Sequence, residues 1–520
     1  MIIARVLPNG RPRRHGTGTL IATIFLLVPI LASCGHGSTP APARKSTPTG
    51  ESVAPELEAF YHQALHWSDC GDDIECASAL VPLDWADPAK ASLSIALARH
   101  SATDNDRLGS LLVNPGGPGG SGVEFVTDSL ATIVDKRLAS RFDIVGFDPR
   151  GVGKSSPVRC YEPDQMDDYL YSVRAGHRGS DERLRDERRN AAAFAAACLD
   201  RSGDLLHYIN TVNTAKDLDL LRAVLGETQL NYLGLSYGTL LGTTYAELYP
   251  AKVGRMALDG ALDPTSSGRD LALGQAEGFE NALRSFLADC LATGGCPFTG
   301  SVDDGTSRVR ALLDSVDEHP LENKDGRKLG GNGLFIGIVA ALYSETSWGR
   351  LREMFDDVIN GDPETTLMFA DLYFGRTPDG RYLTNTTEAF VTVTCSDYYF
   401  DTDELAREAL LTELHKTAPV FGPYLDFNIV QCANWPVKRP SAPAANRAEG
   451  AAPILVLGTT NDPATPYRWA QNLAEQLASG HLVTREGHGH LAYNRSNSCV
   501  DEALDDYLLL GAVPATDLRC

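Results

Sequence analysis

The sequence predicts an α/β fold in which a mostly parallel sheet carries helices on both faces. Short strand-like apolar runs alternate with helix-compatible stretches along much of the chain. Several of these runs are continuously apolar, which is typical of strands covered on both faces. From about residue 264 to 445 this pattern gives way to helical periodicity, which predicts a helical cap inserted into the sheet domain.

The predicted strands are 93–98, 110–114, 142–147, 230–234, 253–259, 454–458 and 482–485. The sheet domain is therefore assigned to residues 56–263 and 446–520, with the cap at 264–445. An independent helical domain is the alternative to a cap. A cap is favoured because the insertion leaves and rejoins the sheet at the edge where ligands bind in such folds.

The N-terminus has the pattern of an export signal. Arginines precede an apolar run over 20–30, which is too short for a comfortable membrane span and ends at Leu31-Ala32-Ser33-Cys34. This predicts a lipoprotein-type signal peptide over 1–33, lipid on Cys34, a flexible tether over 34–55 and attachment to the outer face of the cell membrane. An ordinary secretory signal with an incidental cysteine is the alternative. The net charge of -22 makes nucleic acid an unlikely partner.

The cysteine count agrees with export. Besides Cys34 the chain has ten cysteines, and an even number in an exported chain suggests disulfides. The short spacings favour bridges between successive cysteines: Cys70 with Cys76, Cys160 with Cys198, Cys290 with Cys296, Cys395 with Cys432, and Cys499 with Cys520. Since no Cys/His cluster has zinc spacing, neither a metal nor a cofactor is predicted.

The most informative motif is Gly234-Leu235-Ser236-Tyr237-Gly238, which lies between a strand-like run and a helix-compatible stretch ending at Pro250. A serine on such a turn exposes its hydroxyl above the sheet, and glycines allow the turn to be tight. A plain Gly/Ser turn is the alternative, but the strand–turn–helix setting favours a nucleophile.

A serine nucleophile needs a base and an acid that orients the base, in the chain order Ser, acid, His. Asp462 follows the strand over 454–458, and His490 follows the last predicted strand. Asp259 and His488 are the alternatives for the acid and the base. His490 is favoured because the preceding Gly487-x-Gly489 backbone gives it freedom to approach the serine.

Two further motifs follow predicted strands. The glycine-rich segment 114–122 suits an oxyanion hole, completed by the backbone N–H of Tyr237. A phosphate-binding loop is excluded by the lack of a G-K-[ST] ending. The segment Asp148 to Ser155 is interpreted as structural, with Asp148 and Arg150 forming a pair that braces the loops beside the site, rather than as a catalytic element.

Together, N-P-G-G-P-G, D-P-R-G-x-G-x-S, G-x-S-Y-G, the late Asp and G-x-G-H resemble the prolyl iminopeptidase and tripeptidyl aminopeptidase branch of the α/β-hydrolases, over roughly residues 60–520. The resemblance is strongest to exported, lipid-anchored bacterial members. It implies the α/β-hydrolase fold, Ser236 as nucleophile, Asp462 as orienting acid, His490 as base, and Gly117 and Tyr237 as oxyanion donors. The chain departs from the branch at Asn114, where a histidine is usual, and at Thr239, where glycine is common.

The same resemblance implies acidic cap residues that hold a substrate's free amine, for which Glu345 and Asp397 are candidates. An ordinary helix-surface or cap role is the alternative for both. The expected function is an exported serine hydrolase, an aminopeptidase that releases short N-terminal peptides. A carboxylesterase acting on lipid or small esters is the main alternative, and a non-catalytic lipid-anchored binding protein is less favoured.

Overall fold

The computed structural model describes residues 44–401, 403–425, 427–437, 443–514 and 517–520. The predicted signal peptide over 1–33 and Cys34 lie outside the described residues. The strands are β1 (Arg44–Lys45), β2 (His66–Gly71), β3 (Ile74–Pro82), β4 (Ser92–His100), β5 (Gly109–Asn114), β6 (Phe142–Phe147), β7 (Leu230–Leu235), β8 (Val253–Asp259), β9 (Leu321–Glu322), β10 (Lys328–Leu329), β11 (Ile454–Asn461), β12 (Gly480–His488) and β13 (Leu518–Arg519).

The α-helices are α1 (Glu58–Tyr61), α2 (Gly122–Asp128), α3 (Leu130–Ile133), α4 (Lys136–Arg141), α5 (Pro163–Tyr171), α6 (Asp181–Ser202), α7 (Thr211–Val224), α8 (Tyr237–Leu248), α9 (Gly268–Thr293), α10 (Val302–Glu318), α11 (Gly331–Leu342), α12 (Trp348–Ile359), α13 (Glu364–Phe374), α14 (Thr386–Asp397), α15 (Glu404–Thr417), α16 (Phe427–Ala433), α17 (Tyr467–Gln476) and α18 (Ser498–Leu510). Short 3-10 turns lie at Pro55–Leu57, Gly203–Tyr208, Pro250–Lys252, Glu345–Ser347 and Gly422–Tyr424.

Within the described residues, one sheet of eleven strands has the order β1-β2-β3-β4-β6-β5-β7-β8-β11-β12-β13. The pairs from β1 to β6 in this order are antiparallel, and the pairs from β6 to β13 are parallel. The mostly parallel sheet is therefore confirmed. Because the parallel strands run the same way, their carboxyl ends and the loops that follow them meet at one edge.

Helices cover both faces of the sheet, as the continuous apolar runs predict. Alternate residues of β5 point in opposite directions: Leu112 packs in one core cluster with Leu218 of α7, and Leu111 packs in another with Phe125 of α2. β5 and β6 are buried at every position. Helix packing on both faces explains why these strands carry no polar–apolar alternation.

The predicted strands are all present, with ends that differ by a few residues. The hairpin β2–β3 was not predicted from the sequence. Its turn places Asp72 and Asp73 at φ values of 51° and 61°, and Cys70 pairs with Cys76 across it. β2 is mostly exposed, so it lacks the apolar run that marks a central strand.

The predicted tether over 34–55 is wrong for its second half. Arg44 and Lys45 pair with β2, the Thr49 N–H donates to the Ala223 carbonyl at 2.9 Å, and Glu51 binds Arg222 at 2.8 Å. These contacts fix residues 44–55 on the sheet domain. β1 extends the antiparallel edge of the sheet. Residues 34–43 lie outside the described part of the chain.

The cap is built from two segments of the chain, of which the sequence predicts only one. Helices α9 to α16 follow β8, as predicted. Helices α5 and α6, assigned by the sequence analysis to the sheet domain, join them: Phe194 of α6 stacks on Tyr169 of α5 at 4.4 Å and lies 6.4 Å from the ring of Trp435. The long connection between β6 and α7 indicates an additional cap segment, since most loops between a strand and a helix are short. A short β9–β10 ribbon also lies in the cap, where no strand was predicted.

All five predicted disulfides form between successive cysteines: Cys70–Cys76, Cys160–Cys198, Cys290–Cys296, Cys395–Cys432 and Cys499–Cys520. Two of them close the cap segments, and the last ties the end of the chain to α18 beside β12. Among the helices of the described ranges, none is long and apolar enough to cross a membrane.

Arg150 has the structural role predicted for it, but with a different partner. Its guanidinium is fully buried and binds Asp217 of α7 at 2.5 and 2.6 Å, and it also donates to the carbonyls of Pro82, Leu83 and Tyr208. The predicted pairing with Asp148 is wrong. The Arg150–Asp217 pair instead joins the loop after β6 to α7. The other Arg150 contacts hold the end of β3 and the segment before α7.

We expect Arg150→Met to lower the free energy of unfolding by about 3–5 kcal/mol, because it leaves the buried Asp217 carboxylate without its counter-ion. Urea unfolding followed by circular dichroism measures this change. The matched control is Arg350→Met, which removes an exposed pair with Glu353 and should cost less than about 1 kcal/mol. An unfolding curve for Arg150→Met that coincides with that of the control would contradict the structural role.

Candidate active site

Ser236 lies on the turn between β7 and α8. Its φ of 56° and ψ of -122° are outside the ordinary regions for a residue with a side chain, and this strain must be held by the surrounding structure. The Ser236 N–H donates to the Asp259 carbonyl at 2.8 Å. A Cβ on Gly234 would lie 2.4 Å from the Gly238 carbonyl oxygen, so the turn requires glycine there.

The predicted acid and base are in contact. His490 Nδ1 lies 2.9 Å from both carboxylate oxygens of Asp462. The carboxylate also accepts the N–H groups of Ala464, Thr465 and Leu491 at 2.9 to 3.1 Å. Asp462 is therefore fixed by backbone donors, and it holds the proton of the imidazole on Nδ1, so that Nε2 is the nitrogen able to accept another proton.

Ser236 and His490 are linked through the end of β8. Asp259 accepts the Ser236 N–H, and the next residue is Gly260, where a Cβ would lie 3.0 Å from His490 Cε1. Thr465 lines the same cavity as Ser236, and its hydroxyl lies 3.3 Å from His490 Nδ1. The three predicted triad residues are thus brought to one edge of the sheet.

The two alternative residues have other roles. The Asp259 carboxylate accepts the N–H groups of Ala492 and Tyr493 at 2.8 and 2.9 Å, and burial raises its pKa to about 6. It therefore positions the segment that follows His490 rather than the imidazole itself. The His488 ring packs against Trp348 with ring centroids 5.4 Å apart. Neither alternative is in the position that the triad requires.

The glycine-rich loop after β5 lies against the turn at Ser236. A Cβ on Gly116 would lie 2.4 Å from the Leu235 carbonyl oxygen and 3.1 Å from the Tyr237 nitrogen, so only glycine allows this approach. Gly117, the next residue, lines the cavity with Ser236 and is joined to Pro118 by a cis peptide bond. This places the two predicted oxyanion donors, Gly117 and Tyr237, beside Ser236.

Asp148 holds the other end of this loop. Its carboxylate accepts the Ser121 hydroxyl at 2.5 Å and the N–H groups of Val123 and Lys154 at 3.1 and 2.8 Å. The loop that follows β5 is therefore fixed to the loop that follows β6. This is the contribution of the D-P-R-G motif to the site, and Arg150 acts separately.

A cavity of about 280 Å³ opens at Ser236 between the sheet edge and both segments of the cap. Its walls are mostly aromatic and aliphatic side chains, including Tyr169, Phe279, Phe335, Tyr343, Phe390, Val391 and Tyr424. Among the described lining residues the only carboxylate is Glu187, which binds Arg183 at 2.9 Å. The cavity suits a group that is largely apolar.

Tyr343, at the end of α11, connects the cap to the histidine and is not predicted from the sequence. The His490 N–H donates to the Tyr343 carbonyl at 2.8 Å, and the two rings meet edge to face with centroids 5.3 Å apart. Burial raises the pKa of Tyr343 far above its usual range, so its hydroxyl stays neutral. No local motif marks Tyr343, because its role depends on where α11 docks.

The positions of the predicted amine-binding residues argue against that role. Asp397 accepts the Thr211 N–H at 3.0 Å and the Thr211 hydroxyl at 2.5 Å, and Thr211 also bonds with the Tyr237 hydroxyl. Asp397 therefore supports the turn from behind and does not line the cavity. Glu345 is exposed on a 3-10 turn and is likewise absent from the cavity wall.

The described residues contain no group of three or more His, Cys, Asp or Glu side chains placed to hold a metal ion.

Residues 418–520 match the family model described as TAP-like protein. The chain is 36% identical over 482 residues to serine protease Hip1 of Mycobacterium tuberculosis (strain ATCC 25618 / H37Rv), which covers 88% of this chain and 91% of that protein. It is 36% identical over 519 residues to carboxylesterase B of the same strain, and the match covers 97% of this chain and 96% of that protein. It is 32% identical over 475 residues to tripeptidyl aminopeptidase of Streptomyces lividans, and the match covers 88% of this chain and 86% of that protein.

These similarities extend over most of the chain and include the sheet, the cap and the site at Ser236. They confirm the resemblance found in the motifs. The chain therefore belongs to the tripeptidyl aminopeptidase-like branch of the α/β-hydrolases, and it is a serine hydrolase.

Proposed function

We propose that the chain is an exported aminopeptidase that releases short N-terminal fragments from peptides through an acyl-enzyme on Ser236. The observation that carries this proposal is the placement of Ser236 on the wall of a cavity of about 280 Å³ covered by both cap segments. A cavity of this size suits a short acyl part, which supports an exo-acting enzyme.

The positions of the groups support the following reaction. His490 Nε2 accepts the proton of the Ser236 hydroxyl while Oγ forms a bond to the substrate carbonyl carbon. The N–H groups of Gly117 and Tyr237 stabilise the resulting oxyanion. His490 then donates the proton to the leaving amine as the peptide bond breaks. Water attacks the acyl-enzyme with the same base, and Asp462 keeps the imidazole in the required tautomer throughout.

A carboxylesterase is the second candidate, and one observation favours it. An ammonium group needs a carboxylate partner in an apolar cavity, but the one carboxylate on the described wall, Glu187, is already paired with Arg183. An ester substrate makes no such demand. The same three catalytic residues serve both reactions.

We also propose that the chain is exported and carries lipid on Cys34. The signal-like pattern over 1–33 supports this. The five disulfides support export independently, because such bridges persist in oxidising compartments.

We expect the purified protein to release intact tripeptides from tripeptide amides of a chromogenic amine, at a higher kcat/KM than it shows for short acyl esters. Ser236→Ala should lower kcat on every cleaved substrate by about 10⁴-fold or more. If only the esters were hydrolysed, the result would contradict the aminopeptidase proposal and favour the carboxylesterase. Full activity of Ser236→Ala would contradict the catalytic mechanism itself.

The acid assignment predicts different effects for the two buried aspartates. Asp462→Asn should lower kcat by about 10⁴-fold, because the carboxamide no longer selects the catalytic tautomer of His490. Asp259→Asn is the matched control: it keeps an oxygen that accepts the Ala492 N–H, and its kcat should fall far less. Steady-state kinetics on folded variants measures both. Equal losses from the two substitutions would contradict the assignment.

A further inference from the structure

One side of the cavity wall carries two guanidinium groups. Arg174 and Arg178 lie on the connection between α5 and α6, in the first cap segment, and both line the cavity that reaches Ser236. The proposed chemistry at Ser236 uses neither of them. Their surroundings differ, because carboxylates of the described residues lie within 4 Å of the Arg178 guanidinium but not of the Arg174 guanidinium.

Arg178 belongs to a balanced cluster. Its guanidinium nitrogens lie 3.9 Å from Glu187 and 3.7 Å from Asp317, and the guanidinium stacks on the Tyr424 ring at 3.7 Å. Arg183 binds the same two carboxylates at 2.9 and 3.1 Å. Two arginines thus share two acids, and their charges cancel.

Arg174 has no such partner. Its guanidinium donates to the Tyr169 carbonyl and, in the favoured orientation of the Asn190 amide, to the Asn190 side-chain oxygen. Both acceptors are neutral, and among the described residues no carboxylate lies within 4 Å of the Arg174 guanidinium. Nearby Asp186 is occupied by the Ala175 N–H and by Arg189.

This arrangement leaves a partly buried positive charge at the cavity wall with no carboxylate of the described residues in direct contact, since Asp186 and Glu187 act on it only from beyond 4 Å. Burial lowers the pKa of Arg174, which reflects the desolvation of that charge. A desolvated guanidinium is stabilised most by an anion, and its planar pair of N–H groups matches a carboxylate. A substrate ammonium at this position would be repelled.

The wall elsewhere is mainly apolar, with side chains such as Tyr169, Leu170, Phe390 and Val391. A ligand that spans the cavity from Ser236 to Arg174 therefore needs an apolar middle and an anionic end. The acyl part of a hydrolysed substrate has this form when it carries a carboxylate away from the scissile bond.

We propose that Arg174 is a specificity-determining residue that binds a carboxylate on the acyl part of the substrate, as in acidic peptides or half-esters of dicarboxylic acids. This inference rests on the proposed function, in which Ser236 is acylated by the substrate. It predicts which acyl groups are accepted, and it holds for amide and ester substrates alike.

The experiment compares two matched series of activated aryl esters: half-esters of linear dicarboxylic acids, and esters of monocarboxylic acids with the same chain lengths. We expect the wild-type protein to show a maximum in the ratio of kcat/KM values, dicarboxylic over monocarboxylic, at one chain length. Arg174→Met should lower this ratio by about 10–100-fold, the value of one charged hydrogen-bonded contact, and leave kcat/KM for the neutral series within about twofold.

Arg188→Met is the matched control. It removes a guanidinium from α6, but the Arg188 side chain is 45% exposed, binds Glu404 and does not line the cavity. It should leave the ratio unchanged. Arg174→Lys keeps the charge but loses the planar donor pair, so its ratio should lie between those of the wild type and Arg174→Met.

A wild-type ratio near one at every chain length would overturn the proposal, and this result does not depend on whether any variant folds. Equal loss of ratio in Arg174→Met and Arg188→Met would also overturn it, since a general field effect would then explain the preference. Failure of the proposed function has a different signature: neither series is cleaved, or Ser236→Ala cleaves both.

Discussion

The strained turn at Ser236 is the constraint on which the rest of the site depends. A positive φ at a residue with a side chain persists only where its surroundings fix it. Here the Asp259 carbonyl holds the Ser236 N–H at 2.8 Å, and Gly116 packs directly against the turn. The same contacts bring the oxyanion loop and the end of β8 to the serine. One geometric requirement therefore positions two separate segments of the sheet edge beside the serine.

The cap completes the site by contacting His490 and covering the cavity at Ser236. Tyr343 holds the His490 backbone from α11, so the docking of the cap and the position of the base are coupled. The other cap segment supplies the polar wall with Arg174. Both segments line the cavity, but among the described residues only the second holds the base. Variation in the first cap segment can therefore change specificity without disturbing His490.

Local signals allowed much of this to be predicted. The elbow, the central strands, Asp462 and His490 each stand in a short motif or directly after a buried strand, and the five bridges join neighbouring cysteines. Features that depend on tertiary docking were missed. The first cap segment is helical like many surface helices, and only its packing identifies it as cap. Asp397 is an acidic cap residue by sequence, but the fold turns it toward Thr211 behind the elbow.

Labelling with a fluorophosphonate tests the central claim most directly, because this reagent reacts with a serine only when a base activates it and an oxyanion site receives the phosphoryl oxygen. Mass spectrometry of the digested adduct should place the label on Ser236, and a crystal structure of the adduct should show the phosphoryl oxygen about 2.7–3.1 Å from the Gly117 and Tyr237 nitrogens. A label on another residue, or no label on the folded protein, would contradict the account.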